Sequence, residues 1–192
     1  MRRLLLALLM LTGLVGCETS VPMHRLPEMG FGHLPPIRFA ASRIDVVSEY
    51  KSPMQDPYVE HLMPVSPESA VRRWSRDRLQ AQGGKNSVQV VIKDGKVTET
   101  KLMVDKGISG KFTDQQAERY EANLEVVINV RDERGMVVSS AMAKANRLRS
   151  VPESVSLNDR EKIWYEMVES LMKDLNQGLE SSIKEYMGLY LM

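Results

Sequence analysis

Hydrophobic and polar positions alternate most regularly over Tyr120–Val130, where apolar residues occupy every even-numbered position. The odd-numbered positions between them carry Glu or Asn, with Val127 as the exception. Because successive side chains of a strand point to opposite faces, this pattern predicts a β-strand with one buried and one wetter face. The segment Asp132–Gly135 is typical of a turn. It leads into a predicted partner strand, Met136 to about Leu148, which Pro152 closes.

Three further runs have the composition of strands. The first is Ile37–Tyr50, and the other two, Ser87–Lys93 and Lys96–Met103, flank the dipeptide Asp94-Gly95. Because Asp-Gly favours positive φ, the dipeptide predicts a two-residue hairpin that joins these two runs. We expect an irregular, glycine-containing loop over Lys106–Gln116.

Two segments show helical spacing of apolar residues. Ser66 and Pro67 predict the start of the first, because serine caps free backbone N–H groups and proline is favoured at the first helical position. Gly83-Gly84 predicts its end. The second is a long helix that begins near Asn158, with Glu161 as a capping-box partner. Its apolar stripe consists of Ile163, Trp164, Met167, Val168, Leu171, Leu175, Leu179, Ile183, Tyr186 and Tyr190.

The predicted order of elements is strand, helix, two strands, two strands, helix. Strands in hairpins with two separated helices predict an α+β fold, a mainly antiparallel sheet with both helices packed on one face. Gly178 lies inside the last helix, where glycine costs about 1 kcal/mol relative to alanine, and we expect a bend there.

The N-terminus has the arrangement of charged and apolar residues that is typical of a secretory signal peptide. Arg2 and Arg3 precede an almost wholly apolar run, Leu4–Leu14. As a helix this run would be about 16 Å long, whereas a membrane span needs about 20 residues. The run therefore fits the apolar core of a cleaved signal peptide.

The next residues, Leu14-Val15-Gly16-Cys17, resemble the lipobox of bacterial lipoproteins. Small side chains let a peptidase approach the backbone, and only a thiol can be alkylated by diacylglycerol. The resemblance implies cleavage after residue 16, with a diacylglyceryl thioether and an N-acyl chain on Cys17. Several acyl chains give stable anchoring, since each buried methylene contributes about 0.8 kcal/mol. The sequence has no other cysteine, so we expect no disulfide and no thiol chemistry.

These observations predict a signal peptide over 1–16, a lipid-bearing, proline-rich tether over 17–36, and a single α+β domain over 37–192. The chain carries 26 Lys and Arg against 25 Asp and Glu. Such a near-neutral balance argues against a nucleic-acid partner, because nucleic-acid binders usually carry a basic excess.

The sequence contains few of the residue patterns that are typical of catalytic sites. Its histidines, His24, His33 and His61, lie in the tether and the first loop without metal-ligand spacing. The segment Gly107–Gly110 fails the Gly-x-Ser-x-Gly pattern, because Lys111 stands where the last glycine is required. We therefore expect no metal, no cofactor and no enzymatic activity.

The end of the chain is unusually apolar. The run Tyr186–Met192 contains two tyrosines, two leucines and two methionines. If this run does not pack on the sheet, its apolar groups are available to another molecule. Tyr186, Met187 and Tyr190 are therefore the predicted partner surface.

The strings Pro35-Pro36-Ile37-Arg38 and Val71-Arg72-Arg73-Trp74 resemble uncharacterised proteobacterial lipoproteins. The order of elements is similar to that of the lipopolysaccharide-assembly lipoproteins and of the auxiliary lipoproteins of ABC-type lipid transporters. These resemblances imply a non-catalytic accessory component of envelope assembly or lipid transport, held at the membrane by its lipid and docked on an envelope membrane protein. Glu18 replaces the Asp that favours inner-membrane retention, so the periplasmic face of the outer membrane is favoured.

Two alternatives remain open. A lipid-anchored periplasmic hydrolase would bring carboxylates or a serine-centred cluster together in a pocket. A lipid-binding lipoprotein would need an apolar cavity of a few hundred Å³.

Overall fold

The computed structural model describes residues 26–103 and 115–192. The predicted signal peptide, Cys17, His24 and the segment Gly107–Gly110 lie outside the described residues. Two 3₁₀ turns, Glu60–Leu62 and Gly188–Tyr190, accompany the regular elements. These elements are β1 (Ile37–Ser48), α1 (Pro67–Arg78), β2 (Leu79–Asp94), β3 (Val97–Lys101), β4 (Gln116–Arg131), β5 (Val137–Pro152) and α2 (Leu157–Tyr186).

Strand β4 is the centre of a five-stranded sheet. It pairs antiparallel with β5 on one side and with β2 and β3 on the other. Strand β1 pairs parallel with β2, because α1 carries the chain back so that β2 runs in the direction of β1. The predicted α+β fold, with two helices over one face of the sheet, is confirmed. The sheet is mixed, with this one parallel pair among antiparallel ones.

The alternation predicted for β4 is confirmed. Its even-numbered residues from Tyr120 to Val130 are buried, whereas the residues between them are partly or fully exposed. These buried side chains belong to one apolar core, which also contains the buried residues of α1 and α2. The largest fully buried residues of this core include Phe39, Trp74, Ile92, Tyr120, Met167, Leu171 and Leu175.

The hairpin predicted at Asp94-Gly95 is wrong. Strands β2 and β3 do not pair with each other, since both lie in line along the same edge of β4. Gly95 does not adopt positive φ, and the Lys96 N–H instead donates to Asp94 Oδ1 at 3.1 Å. The chain therefore makes a kink rather than a reversal. The Asn123 N–H donates to the Lys96 carbonyl at 2.9 Å and keeps β4 joined across this kink.

Helix α1 begins where the sequence predicts but ends earlier. The Ser69 N–H donates to Ser66 Oγ at 3.2 Å, which confirms the predicted cap. The predicted end at Gly83-Gly84 is wrong, because the helix stops at Arg78 and β2 starts at once to pair with β1. The two glycines lie inside β2 with φ of 92° and 115°, where the β1–β2 register shifts.

Helix α2 begins one residue earlier than predicted, with a different cap. The Asp159 N–H donates to Ser156 Oγ at 3.2 Å, and Ser156 Oγ donates to Asp159 Oδ2 at 2.6 Å. Ser156 therefore caps the helix, whereas the sequence predicts a capping box that begins near Asn158 with Glu161 as its partner. Gly178 lets α2 lie close to β5, because a Cβ at this position would stand 3.0 Å from Ala143 Cβ.

Both ends of the described chain lie against the domain. Met29 and Phe31 of the predicted tether are buried, and the Phe31 N–H donates to Asp77 Oδ2 on α1 at 3.0 Å. At the other end, Leu191 forms an isolated antiparallel bridge with Phe39 of β1. Among the described residues, no helix combines the length and the apolar character that a membrane span requires.

Candidate functional site

A groove of about 1190 Å³ lies along one side of α2. Its opposite wall is the N-terminal segment 27–38, and residues 191–192 close one end of it. The apolar part of the lining includes Met29, Phe31, Leu34, Ile37, Tyr165, Met172, Ile183, Leu191 and Met192.

The N-terminal wall is fixed in place by α1. The Arg73 guanidinium donates to the Met29 carbonyl at 3.1 Å and forms an ion pair with Glu28. At the other end of this wall, the Met192 N–H donates to the Arg38 carbonyl at 3.0 Å, and this hydrogen bond holds the wall against the end of the chain. The groove therefore runs from a Tyr165 end to an Arg38 end.

The base of the groove contains a buried arginine. Arg78 is the last residue of α1, and its side chain is 2 % exposed. Its Nη1 donates to Asn176 Oδ1 at 2.9 Å, and its Nη2 donates to Glu180 Oε1 at 2.7 Å. Trp74 Nε1 donates to the same Asn176 oxygen at 2.8 Å. This cluster joins α1 to α2 through side chains rather than through apolar packing alone.

The hydrogen bonds and the ion pair of this cluster compensate the buried charge of Arg78, because a buried charge is costly unless it is paired and hydrogen-bonded. The hydrogen bond from Arg78 lowers the pKa of Glu180, and this effect outweighs the opposing effect of partial burial. Arg78 Nε, however, donates to no atom of the described residues. One N–H group of this buried guanidinium thus has no acceptor among residues 26–103 and 115–192.

Basic side chains surround the rest of the groove. Arg38, Lys173 and Lys184 line it, and within the described part of the chain none of them forms an ion pair. Of the three acidic residues in the lining, Glu28 is paired with Arg73 and Glu180 with Arg78, while Glu169 lies one helical turn from Lys173.

The predicted partner surface at the chain end is only partly a surface. Tyr186 is 59 % exposed and Tyr190 is half-buried, but Met187 is fully buried in the core. Met187 therefore cannot contact a partner in this conformation. Sequence reasoning missed Leu189, which is 94 % exposed. The spacing of apolar residues could not separate Met187 from Leu189, because a 3₁₀ turn follows the helix at this point.

Exposed apolar residues from a distant strand lie beside the chain end. Ser139 Oγ donates to the Tyr186 carbonyl at 2.8 Å, which brings the start of β5 next to the end of α2. Val137 and Val138 are exposed there. This neighbourhood was not predicted, since it depends on the pairing of β5 with β4 and on the path of α2.

A second buried polar cluster surrounds Glu60, which is 4 % exposed. Its carboxylate accepts hydrogen bonds from Tyr50 Oη at 2.6 Å, from Ser52 Oγ, and from the Val97 N–H at 3.1 Å. Burial raises the pKa of Glu60, but these hydrogen bonds outweigh it and lower the pKa. Burial and the bond to Glu60 raise the pKa of Tyr50. This cluster ties the first loop to β3, and it has a structural role.

Within residues 26–103 and 115–192, the structure does not bring His33, His61 or the groove residue Ser170 into a reactive arrangement. His33 is exposed at the edge of the groove, and His61 is exposed in the first loop. Ser170 lines the groove, but its hydroxyl donates to the Glu166 carbonyl at 2.9 Å. Within the described ranges, no three His, Cys, Asp or Glu residues are grouped so that they could hold a metal ion.

The face of the sheet away from the helices carries polar side chains that pair with one another. Arg131 Nη2 donates to Gln89 Oε1 at 2.7 Å, and Ser140 Oγ donates to Asn129 Oδ1 at 2.6 Å. Lys144 forms an ion pair with Glu125 at 2.9 Å. A face whose polar groups are satisfied among themselves is suited to solvent, so the groove remains the stronger candidate site.

No protein-family model matches the chain, and no curated protein matches it. Some solved structures are distantly similar to this chain. The rare lipoprotein B from Shewanella oneidensis is 11% identical, with a TM-score of 0.38, and the match covers 75% of this chain and 96% of that one. A minor lipoprotein from Acinetobacter baumannii is 10% identical, with a TM-score of 0.38 and coverage of 75% and 94%.

A third match is the PelC dodecamer from Paraburkholderia phytofirmans. It is 13% identical, with a TM-score of 0.24, and the match covers 73% of this chain and 91% of that one. At these identities and TM-scores, the three matches assign neither a family nor a function.

Proposed function

We propose that this chain is a non-catalytic bacterial lipoprotein that is anchored in the cell envelope through Cys17 and docks a membrane component with the groove along α2. The lipobox resemblance supports the anchor. The observation that carries the docking role is the groove itself, with buried Arg78 at its base and an exposed apolar chain end beside it.

The anchor and the groove are close along the chain. Pro27, the first residue of the groove wall, is ten positions after Cys17, and ten extended residues span at most about 36 Å. The start of the groove wall therefore stays within this distance of the bilayer that holds the lipid. We place the domain on the periplasmic side and favour the outer membrane, because Glu18 follows the cysteine.

The chemistry of the site favours an envelope membrane protein as the docking partner. Tyr186 and Leu189 offer exposed apolar area, and aromatic and apolar groups of this kind are enriched at the centre of protein interfaces. The basic side chains of the groove provide a polar rim next to them. In this proposal the domain acts as an accessory component of envelope assembly or lipid transport.

The alternative of an anchored hydrolase gains no support from the groove. Hydrolysis by a serine requires a base within hydrogen-bond reach of the hydroxyl, whereas Ser170 is bonded to a helix carbonyl. The Glu180 carboxylate is held by Arg78, and its pKa is lowered rather than raised. A general acid at neutral pH needs a raised pKa.

Photo-cross-linking in intact cells tests the docking role. A photoreactive amino acid is placed at Leu189, and the matched control carries it at Lys144 on the open face of the sheet. We expect the Leu189 form to give one discrete cross-linked envelope protein and the Lys144 form to give none. Equal, diffuse cross-linking from both positions would contradict the proposed surface.

A further inference from the structure

The first loop, residues 49–66 between β1 and α1, carries an apolar surface that the docking role does not use. Met54 is 70 % exposed and Leu62 is 60 % exposed. Three prolines of the same loop, Pro53, Pro57 and Pro64, are also exposed. Exposed apolar side chains that are grouped on one short loop favour contact with another molecule or with a membrane.

Hydrogen bonds hold the first loop in one conformation. The buried Glu60 carboxylate accepts a hydrogen bond from Ser52 Oγ, and the Val59 N–H donates to the Val97 carbonyl at 2.9 Å. Met54 has a φ of 53°, which few residues other than glycine adopt. Its N–H donates to Ser52 Oγ at 3.3 Å. The loop therefore presents Met54 to the outside in an uncommon backbone conformation that its neighbours maintain.

The described chain begins beside this loop. Residues 27–29 and residues 64–65, at the end of the loop, line one cavity of about 290 Å³. Leu26, the first described residue, is nine positions after Cys17, and nine extended residues span at most about 32 Å. An acylated Cys17 therefore keeps the first loop close to the bilayer.

The apolar chain end is far from this point. Arg73 pairs with Glu28 at the start of the groove wall and also acts on Tyr165, so these residues lie at one end of the groove. Lys184, the last residue of α2 in the lining, is about 29 Å further along the helix, and Leu189 follows it. For Leu189 to reach the bilayer, the segment between Cys17 and the groove wall would have to be almost fully extended.

We infer that the first loop rests in the interfacial region of the bilayer that holds Cys17, with Met54 and Leu62 at the level of the headgroups and the upper acyl chains. The inference deepens the proposed function and rests on its lipid anchor. It assigns an orientation to the domain, in which the first loop faces the membrane and the chain end at Leu189 faces a partner away from the bilayer surface.

The contact is apolar rather than electrostatic. Among the charged residues of the loop, Glu49 forms an ion pair with Lys93 at 2.6 Å. Lys51 and Asp56 are exposed and have opposite charges, and buried Glu60 adds a negative charge. The loop thus has no positive excess that would attract anionic lipids. Its exposed apolar side chains remain as the groups that favour the interface.

The anchor makes this contact effective. A few apolar side chains alone bind a bilayer only weakly, because the lost freedom of the whole domain opposes binding. When the lipid on Cys17 already holds the domain, the loop meets the bilayer at a high local concentration. The contact then decides which face of the domain is turned to the membrane.

The test uses the full-length acylated protein in nanodiscs of phosphatidylcholine. The probe is a phosphatidylcholine with a photoreactive diazirine in its acyl chain near the glycerol, and labelled residues are mapped by mass spectrometry. We expect labelling of Met54 and Leu62, and about tenfold less at Leu189, although Leu189 is 94 % exposed. An unlabelled loop, or labelling of Leu189 equal to that of the loop, would overturn the inference.

Two double variants provide the matched comparison. Met54→Gln/Leu62→Gln changes the first loop, and Val137→Gln/Leu189→Gln changes two exposed apolar residues at the other end of the molecule. We expect the first variant to reduce labelling of the loop peptide by about tenfold, because its polar side chains no longer favour the interface. The second variant should leave labelling of the loop unchanged. Equal labelling of the loop in both variants would overturn the role of Met54 and Leu62.

The lipid composition separates an apolar contact from an electrostatic one. Addition of phosphatidylglycerol to the nanodiscs, or an increase of the salt concentration, should change labelling of the loop by less than about twofold. Labelling that rises strongly with phosphatidylglycerol and falls again with salt would show a contact through basic residues, and it would overturn the inference.

Failure of this inference can be distinguished from failure of the proposed function. If Cys17 carries no lipid, the protein does not associate with the nanodiscs, and both proposals are wrong. If the protein is anchored but the first loop is unlabelled, the orientation is wrong, whereas the anchor and the cellular cross-link from Leu189 are unaffected.

Discussion

Asn176 is the residue on which the base of the groove depends most directly. Its side-chain oxygen accepts hydrogen bonds from Trp74 Nε1 and from Arg78 Nη1, and both donors are buried. Its amide nitrogen donates to Glu180 Oε1 at 3.2 Å. One polar side chain therefore satisfies two buried donors and positions a carboxylate.

We predict that Asn176→Ala lowers the free energy of unfolding by about 3 kcal/mol, because it leaves a neutral and a charged buried donor without their acceptor. Urea denaturation at neutral pH measures the change. The control Gln177→Ala, at the exposed neighbouring position, should change stability by less than about 0.5 kcal/mol. Equal effects of the two variants would show that the cluster contributes nothing specific.

Glu60 makes stability depend on pH. Its pKa is lowered in the folded state, so its contribution is fully present above the unfolded pKa of about 4.3 and is lost as pH falls through the folded pKa. We predict that Glu60→Gln is less stable than the unmodified protein at pH 7 and that this difference shrinks towards pH 3. Urea denaturation at a series of pH values measures it. The exposed Glu133→Gln serves as control, and a difference independent of pH would contradict the assignment.

At the scale of elements, α2 and β5 approach each other closely at Gly178. Gly178 faces Ala143, and the room between them is smaller than a methyl group needs. Glycine in a helix costs about 1 kcal/mol relative to alanine. Glycine is suited to this position despite its cost, because the absence of a side chain lets α2 pack closely on the sheet.

We predict that Gly178→Ala destabilises the protein by about 1 kcal/mol, since overpacking outweighs the gain in helix propensity. In an Ala143→Gly background the same substitution should become stabilising, because the opposing methyl group is gone. Thermal unfolding of the four proteins of this cycle measures the coupling. A stability change of the same sign for Gly178→Ala in both backgrounds would contradict the close contact.

Elements whose pattern is local could be predicted from the sequence. The alternation of β4 and the Ser66 cap of α1 each depend on a few adjacent residues. The hairpin at Asp94-Gly95 was wrong because the dipeptide allows both a reversal and a kink. The choice between them depends on β4, which is long enough to pair with β2 and β3 in line. The end of α1 likewise depends on pairing with β1, far earlier in the chain.

At the scale of the whole molecule, the groove exists only because three distant segments meet. The N-terminal segment 27–38, helix α2 and residues 191–192 each contribute one part of it. Arg78 and Asn176 are 98 positions apart, and nothing in either local sequence predicts their contact. The predicted partner residues Tyr186 and Tyr190 lie near this groove, but the groove itself could not be predicted.

The central claim is that acylation of Cys17 holds this domain at a membrane, so that its groove and chain end meet membrane components. Incorporation of radiolabelled palmitate into the unmodified protein and into Cys17→Ser, followed by membrane fractionation, tests it most directly. We predict label in the unmodified protein, found with the membranes, and none in the variant, which should fail to be processed and anchored. Absence of label from both proteins, or a variant processed and located as the unmodified protein is, would contradict the account.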